Sequence, residues 1–356
     1  MSDSLLKIGV IGAGNIAGVH LKELQAHADR CVVTAITDAY LPLAEAKAKE
    51  YGIPNVYPSA EALLASDVDA VVVCVPNQFH APVAVMALEH GKHVLLEKPM
   101  GIDLESAKRI VRKQRETGKT VMIAHQMRWE WLAQRVKRQV EQGELGHIYT
   151  AKAGWYRRKG IPGWGTWFTR MAESGGGPLI DIGVHMLDLS LYLMGNPKPI
   201  AVSGATYAEF GPRKKGIGTW GTPNWNGYYD VEDLATAFIR MEDGRTLTLE
   251  VSWAVHMDTN SSPFIHLMGS EGGVAMYGNR GKFLTEKFDA AMEVELVEPA
   301  NDAGGRKRMT DHFLECVREG KEPITSAFSG FTNNLILDAI YRSSKTGGEV
   351  KLDWDV

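Results

Sequence analysis

The 356-residue sequence lacks the features that mark secreted, membrane-spanning and nucleic-acid-binding proteins. Its three cysteines, Cys31, Cys74 and Cys316, are scattered without a CxxC spacing, which favours buried thiols over disulfides or metal ligands. The 39 basic and 43 acidic residues give a net charge of −4, which argues against a nucleic-acid partner. No apolar run reaches transmembrane length, and nothing near Met1 resembles a signal peptide. We therefore expect a cytoplasmic protein with no membrane partner.

The first part of the chain alternates strand-like and helix-like patterns, which is typical of a doubly wound parallel sheet. A continuous apolar run such as Ala70–Val75 is expected for a strand that is covered on both faces. The strand-like runs lie at Lys7–Ile11, Cys31–Thr37, Asp69–Val75, His93–Leu96 and Thr120–Ala124. The sequence thus predicts an N-terminal Rossmann domain over residues 1–127.

A glycine-rich turn follows the first predicted strand and opens a predicted helix. Gly12 permits a tight turn, Gly14 lets the backbone approach a pyrophosphate, and Ala17 keeps helix and strand close. The free amides at the start of the helix, at Asn15 and Ile16, would face the phosphates. Such a turn can also be purely geometric, so the motif is not specific by itself.

The second predicted strand ends at Asp38, which strengthens the dinucleotide interpretation. A carboxylate there can accept hydrogen bonds from a ribose diol and would repel a 2′-phosphate. No Arg or Lys follows within the next eight residues. The pattern favours NAD over NADP as the cofactor.

The next strands end in polar residues, at the edge where open α/β sheets hold ligands. Asn77 and His80 follow one strand after Pro76, and Glu97 and Lys98 follow the next. His80 is equally well explained as a residue with structural hydrogen bonds at a helix N-terminus. Lys98 could be an ordinary surface lysine, although the proline after it holds it in an extended corner.

The pattern changes after Arg128, where strand-like runs follow one another without alternating helices. They lie at Ile148–Tyr156, Ile200–Tyr207, Leu234–Met241, Thr246–Trp253, Phe264–Gly269 and Gly273–Tyr277. A largely antiparallel open sheet and an α+β second domain over residues 128–356 are predicted.

A helical segment in this second domain carries Asp181, His185 and Asp188 at positions i, i+4 and i+7, which share one face. An aspartate one turn from a histidine can orient the imidazole for proton transfer. A capping aspartate with a core histidine is the plainer alternative. A metal site is a third, but no second ligand cluster stands out, so no metal is predicted.

Aromatic and basic residues are dense in the loops of the second domain, and suit the faces and hydroxyls of a sugar ring. Subunit contact is the rival explanation. The candidates for substrate binding in these segments are Tyr156, Arg158, Trp164 and Trp167, and Arg128 follows the last Rossmann strand.

With these motifs in hand, the chain resembles the glucose-fructose oxidoreductase, inositol dehydrogenase and rhizopine-catabolism (Gfo/Idh/MocA) family along essentially its whole length. The similar segments are Gly12–Ala17, Pro76-Asn77 with His80, Gly91–Val94, Glu97-Lys98-Pro99, Arg128, Gly175–Gly177, Asp181–His185 and Gly347–Val350. The resemblance implies Lys98, Asp181 and His185 as the catalytic set, which would also contact the substrate. It also implies a Lys98–Pro99 bond that is often cis, and a homodimer or homotetramer formed through the C-terminal sheet. Glu97, Lys98 and Gln126 complete the predicted cofactor site.

The leading hypothesis is NAD-dependent oxidation of a secondary hydroxyl of a sugar, sugar derivative or cyclitol to a ketone. One alternative uses the same residues for transient oxidation and elimination, so that a glycosidic bond is cleaved without net redox change. Another is a sugar-sensing protein that has lost activity, against which the retention of all three predicted catalytic residues argues.

Overall fold

The computed structural model describes residues 4–258 and 262–356, which fall into two compact units. The first unit contains the chain up to Gln126, together with Gly305–Phe331 and Val356. The second contains Met127–Gly304 and Thr332–Asp355. This division differs from the predicted domains at 1–127 and 128–356, because the chain returns to the first unit after residue 304.

The first unit is built on a parallel six-stranded sheet with the strand order β3-β2-β1-β4-β5-β6. Its strands are β1 (Leu6–Ile11), β2 (Cys31–Thr37), β3 (Asn55–Val56), β4 (Ala70–Val73), β5 (His93–Leu96) and β6 (Val121–Ile123). The helices between them are α1 (Asn15–Gln25), α2 (Leu41–Tyr51), α3 (Ala60–Leu64), α4 (His80–Glu89) and α5 (Leu104–Thr117). The order reverses between β1 and β4, which is the switch point where such sheets bind ligands.

The second unit contains a nine-stranded sheet in the order β14-β13-β12-β11-β7-β10-β9-β8-β15. Its strands are β7 (Ile148–Tyr156), β8 (Pro199–Tyr207), β9 (Leu234–Met241), β10 (Thr246–Ser252), β11 (Ser262–Gly269), β12 (Gly272–Tyr277), β13 (Arg280–Lys287), β14 (Ala290–Leu296) and β15 (Val350–Lys351). Neighbouring strands are antiparallel except β7 and β10, which are parallel. The predicted fold class, with its mostly antiparallel second sheet, is confirmed.

One face of this sheet packs into the core and the other does not. Alternate residues of β7 and β10, among them Ala153 and Leu249, are buried in the cluster that also contains most of α8 (Val184–Leu193). The residues between them, such as Lys152 and Glu250, remain partly or fully exposed. The sheet therefore has one covered and one open face, as the period-two alternation of side chains requires. The other helices of this segment are α6 (Trp131–Glu141) and α7 (Met171–Ser174).

The last two helices are α9 (Gly305–Glu319) and α10 (Ala327–Thr346). Asp311 on α9 lies 3.0 Å from Nε2 of His27 and accepts a 2.9 Å hydrogen bond from Arg30, both just after α1. The backbone amide of Ile123 in β6 donates to the carbonyl of Thr325 at 2.8 Å. These contacts attach the returning segment to the first unit. In the described parts of the chain, no helix is both long and apolar enough to cross a bilayer.

Candidate functional site

The glycine turn between β1 and α1 has the shape of a phosphate cradle. Gly12 has a φ of +96°, and a Cβ there would lie 2.4 Å from the carbonyl oxygen of Cys74. A Cβ on Gly14 would meet no atom within 4 Å, so this side of the turn is open. No side chain caps α1, whose first residues are Asn15 and Ile16. The residues present fit a dinucleotide, because open backbone and helix amides are what a pyrophosphate needs.

Asp38 joins the end of β2 to the glycine turn. Its Oδ2 accepts a 2.7 Å hydrogen bond from the amide of Ala13, and its Oδ1 accepts a 2.8 Å bond from the amide of Tyr40. Each carboxylate oxygen has a second acceptor position, which a ribose hydroxyl could use. Asp38 is thus both a support of the turn and a candidate ribose ligand.

Replacing Asp38 with serine is expected to weaken NADH binding by about ten- to a hundredfold, because charge-assisted hydrogen bonds are lost. The preference for NADH over NADPH should narrow at the same time, because the repelling carboxylate is gone. Fluorescence titration with both cofactors measures the two affinities. The control is Asp29→Ser at an exposed position. An unchanged NADH affinity in Asp38→Ser would contradict the assignment.

Lys98 stands at an abrupt corner after β5 and is partly exposed. The Lys98–Pro99 peptide bond is cis, as the resemblance implied. Beneath it, Glu97 is buried, with Oε1 2.7 Å from Nε2 of His20 and Oε2 accepting a 3.2 Å bond from the Lys98 amide. Burial by itself raises the pKa of Glu97, but the hydrogen bond and charge of His20, together with the nearby Lys98 charge, hold that pKa below its usual value. Glu97 is therefore an ionised support of the Lys98 corner, and His20 is a partner that the sequence reasoning missed.

His80 has a structural position rather than one open to a ligand. It is 1% exposed, with Nδ1 2.6 Å from the carbonyl oxygen of Pro99 and Nε2 2.9 Å from that of Val75. Burial lowers the pKa of His80. The prediction that its side chain contacts the cofactor is corrected here, because both nitrogens face backbone carbonyls at the ends of two strands.

The remaining predicted cofactor residues lie in turns that leave the strands of the first unit. Pro76 and Asn77 follow β4, where Asn77–Phe79 form a 3₁₀ turn, and Gln126 begins another after β6. Asn77 is 9% exposed and Gln126 is partly exposed. The carboxyl ends of parallel strands lie at one edge of the sheet, where such sheets bind ligands. The assignment of Pro76, Asn77 and Gln126 to the cofactor site therefore stays a prediction.

Asp181 and His185 lie in the second unit, on either side of a change in helix type. Asp181 is in the π-helical turn Leu179–Gly183, and His185, 7% exposed, is in α8. The indole Nε1 of Trp253, which is fully buried, donates a 3.0 Å hydrogen bond to Oδ2 of Asp181. Such π-helical turns occur often at functional sites. Trp253 was missed because the sequence showed it only as the end of a strand.

Arg157 supplies a positive charge near Asp181. Its guanidinium lies over the ring of Trp155 at 4.8 Å. Burial lowers the pKa of Arg157, and the charge of Asp181 opposes that effect. Asp181 therefore has a hydrogen-bond donor in Trp253 and a neighbouring cation in Arg157.

A buried carboxylate from a distant loop holds the start of the π-helical turn. Glu232 accepts 3.0 Å hydrogen bonds from the amides of Gly177 and Leu179 and from the hydroxyl of Tyr341. A Cβ on Gly177 would lie 2.0 Å from the Glu232 carbonyl oxygen, so glycine is needed there. Burial raises the pKa of Glu232, and the amide hydrogen bonds oppose it. The glycine run before Asp181 thus serves this cap, a role that sequence reasoning did not find.

Arg128 and Asp188 form a buried ion pair. Nε of Arg128 donates to Oδ2 of Asp188 at 2.7 Å, and Nη2 donates to Oδ1 at 2.5 Å. Asn333 also donates to Asp188 at 2.9 Å, and the two charged side chains are only 1–2% exposed. The prediction that Arg128 binds substrate is corrected, because its guanidinium group is buried and bonds to Asp188 through two nitrogens.

In the ranges that the structure describes, no group of three or more His, Cys, Asp or Glu side chains could hold a metal ion.

Two of the predicted substrate aromatics lie elsewhere than expected. Trp164 is 4% exposed, donates to the Gly211 carbonyl at 2.8 Å and stacks on Trp225, so it belongs to the core. Tyr156 donates to Glu250 and stacks on Phe264, on the open face of the sheet opposite Trp155. Both substrate assignments are corrected.

The other two candidates remain compatible with a ligand. Trp167 is partly exposed and its ring centroid lies 3.8 Å from that of Phe168. Arg158 is exposed at the rim of a cavity in the second unit.

Comparison with known proteins gives two family matches. Residues 6–125 match the model of the oxidoreductase family with an NAD-binding Rossmann fold (GFO_IDH_MocA), and residues 133–275 match the GFO/IDH/MocA C-terminal domain.

Curated relatives and solved structures agree with these matches. The D-glucoside 3-dehydrogenase of Escherichia coli K12 is 34% identical over 99% of both chains. The scyllo-inositol 2-dehydrogenase (NAD(+)) of Bacillus subtilis 168 is 26% identical over 98% of this chain and 96% of its own. A structure of levoglucosan dehydrogenase in complex with NADH and levoglucosan superposes with a TM-score of 0.89 at 22% identity, over 99% of this chain and all of that chain, which shows the shared fold.

Proposed function

Because the chain belongs to the Gfo/Idh/MocA family of NAD-binding oxidoreductases, we propose that it oxidises a secondary hydroxyl of a sugar, sugar derivative or cyclitol to a ketone, reversibly. Within that class, glycosides of glucose are the first substrates to try, since the 34%-identical relative is named a D-glucoside 3-dehydrogenase.

The observation that carries the proposal is the environment of Asp181. A hydrogen bond from Trp253 and the charge of Arg157 hold this carboxylate, and His185 follows it by one helical turn. Such a pair can hold a hydroxyl and accept its proton. The predicted cofactor edge of the first unit supplies the Rossmann features that an oxidoreductase of this kind requires.

The proposed catalytic residues have different roles. His185 accepts the proton of the reacting hydroxyl, and Asp181 orients His185 and holds a neighbouring hydroxyl. Lys98 donates a hydrogen bond to the reacting oxygen and stabilises the negative charge that develops on it. NAD⁺, when bound, supplies the acceptor for the hydride. Glu97 and Asp181 stay outside the proton transfer and position the groups that take part.

The test is a screen of the purified protein with NAD⁺ against polyols, aldoses, inositols, anhydrosugars and glucosides, followed by NADH absorbance and product analysis. Ketone formation in step with NADH supports the proposal. Cleavage of a glycosidic bond without accumulation of NADH would instead identify the redox-assisted glycosidase. Saturable sugar binding without any turnover would identify a sensing protein.

We also propose that the open face of the nine-stranded sheet forms a subunit interface. It carries a row of neighbouring aromatic rings, from Tyr156 through Phe264 and His266 to Tyr277, and aromatic residues are enriched at protein interfaces.

Replacing Phe264 with arginine is expected to reduce the mass measured by light scattering to that of one chain. Phe288→Arg, at a residue 93% exposed in the turn after β13, is the control. A monomeric wild-type protein would contradict the proposal.

A further inference from the structure

Two loops of the second unit bring two runs of basic residues together. One loop follows β7 and contains Arg157-Arg158-Lys159, and the other lies between β8 and β9 and contains Arg213-Lys214-Lys215. The amide of Ile161 donates to the Gly216 carbonyl at 3.0 Å, and the amide of Gly218 donates back to the Ile161 carbonyl at 2.9 Å. Backbone hydrogen bonds between the two loops thus hold the two basic runs close together.

A cavity of about 510 Å³ lies where the two loops meet, within the size range of small-molecule sites. The residues that line it are Arg158, Lys159, Phe210, Lys215, Gly216 and His256. Asp233 holds one wall, since its Oδ2 accepts hydrogen bonds from the amides of Phe210 and Gly211. Gly216 has a φ of +69°, and a Cβ there would lie 2.4 Å from the Cβ of Ala254, so the close approach depends on glycine.

The charge of this cavity has one sign. Three of its six described lining residues are cations, one is a histidine and none is acidic, although the whole chain carries a net charge of −4. The nearby carboxylate of Glu209 is 3.6 Å from Arg213, outside the lining. Like charges gathered in one hollow repel one another, and a bound anion removes that repulsion. Carboxylate and phosphate oxygens are the groups that such a cluster of Arg and Lys donors binds most strongly.

Two chain segments connect the lining of the cavity with residues that act on Asp181. Arg157, whose charge acts on Asp181, immediately precedes Arg158. Trp253 donates a hydrogen bond to Asp181. The next residue, Ala254, lies beside Gly216, and His256 follows two residues later. The cavity and the surroundings of Asp181 are therefore built from the same two segments of the second unit.

We propose that this cavity is a subsite for an anionic substituent, a carboxylate or a phosphate, carried by the sugar substrate. The proposal rests on the proposed dehydrogenase function and narrows its substrate class to charged sugar derivatives. Arg158, Lys159 and Lys215 bind the anion, and Phe210 packs against the apolar part of the same substituent.

The experiment compares kcat/KM for D-glucose, D-glucose 6-phosphate and D-glucuronate in the wild type and in the Lys159→Gln/Lys215→Gln double variant. At low salt we expect the wild type to favour at least one of the two anionic sugars by about tenfold or more, and the double variant to lose most of that preference. Lys198→Gln, at an exposed lysine paired with Glu242, is the matched control and should keep the preference. Preference for the phosphate or for the carboxylate identifies the source of the anion.

Calorimetric binding of the same three sugars makes the result independent of turnover. If D-glucose is oxidised and neither anionic sugar is preferred, or if the double variant keeps the preference, the subsite is refuted while the dehydrogenase stands. If an anionic sugar binds through these lysines and neither it nor any compound of the wider screen is oxidised, the anion site stands and the dehydrogenase fails. Tight binding of single-stranded DNA, lost in the double variant, would overturn the subsite in favour of a polyanion surface.

Discussion

Replacing Lys98 with methionine is expected to lower kcat for NADH formation by about a thousandfold, a loss much larger than any change in the affinity for NADH. Methionine keeps an unbranched apolar stem but removes the ammonium that donates to the reacting oxygen, and loss of one such donor costs about 10²–10³ in rate. The corner itself should survive, because Glu97 still bonds to His20 and accepts from the backbone amide of residue 98. If Lys98 had only a structural role, its replacement would not lower kcat so much more than the affinity for NADH.

The measurement is steady-state NADH formation with the best substrate of the screen, together with titration of NADH fluorescence. Lys92→Met is the control, since the Lys92 ammonium donates to the Ser66 carbonyl in the same unit and is not part of the predicted site. His185→Ala should show a loss of similar kind, because it removes the proposed base. A rate within about threefold of wild type in Lys98→Met or His185→Ala would remove that residue from the catalytic set.

Replacing Asp188 with alanine is expected to lower the free energy of unfolding of the second unit by about 3–5 kcal/mol, since it leaves the Arg128 charge buried without its carboxylate. Both partners are almost fully buried, and Asn333 would lose its acceptor as well. The double variant Arg128→Met/Asp188→Leu should recover most of the loss, because no charge is left uncompensated.

Tryptophan fluorescence during urea unfolding measures this effect selectively, because all nine tryptophans lie in the second unit. The control is Glu349→Ala, which breaks the exposed Arg240–Glu349 pair and should cost no more than about 1 kcal/mol. A midpoint for Asp188→Ala equal to that of the control would show that the buried pair contributes little to the stability of the unit.

The sequence was most informative where local rules decide the structure. The apolar run of β4 and the glycine turn at Gly12 required only backbone geometry and burial, and both predictions match the structure. Strands β13 and β14 were missed because they are the last two strands at one end of the sheet and are largely exposed, so they lack the alternation that identifies a half-buried strand.

The site was harder to predict because its supports come from distant positions. Asp188 was grouped with Asp181 and His185 by helical spacing, yet its partner Arg128 lies 60 residues away. Trp164 looked like a loop aromatic, and only the packing of Trp225 and the carbonyl of Gly211 show that it is a core residue. Glu232 had no local signal at all, because a cap supplied from 53 residues away follows no sequence spacing.

The return of Gly305–Phe331 to the first unit has a consequence for synthesis of the chain. The amide of Ile123, the side chain of Arg30 and the imidazole of His27 find their partners on residues 311–325. During translation these groups have no partners until Met127–Gly304 and then residues 311–325 have emerged, so the first unit cannot complete its packing before that point. A fragment ending near residue 127 would therefore be an incomplete cofactor domain. The second unit in turn needs Thr332–Asp355, which contain strand β15, so neither unit can finish packing until residues after Gly304 have been made.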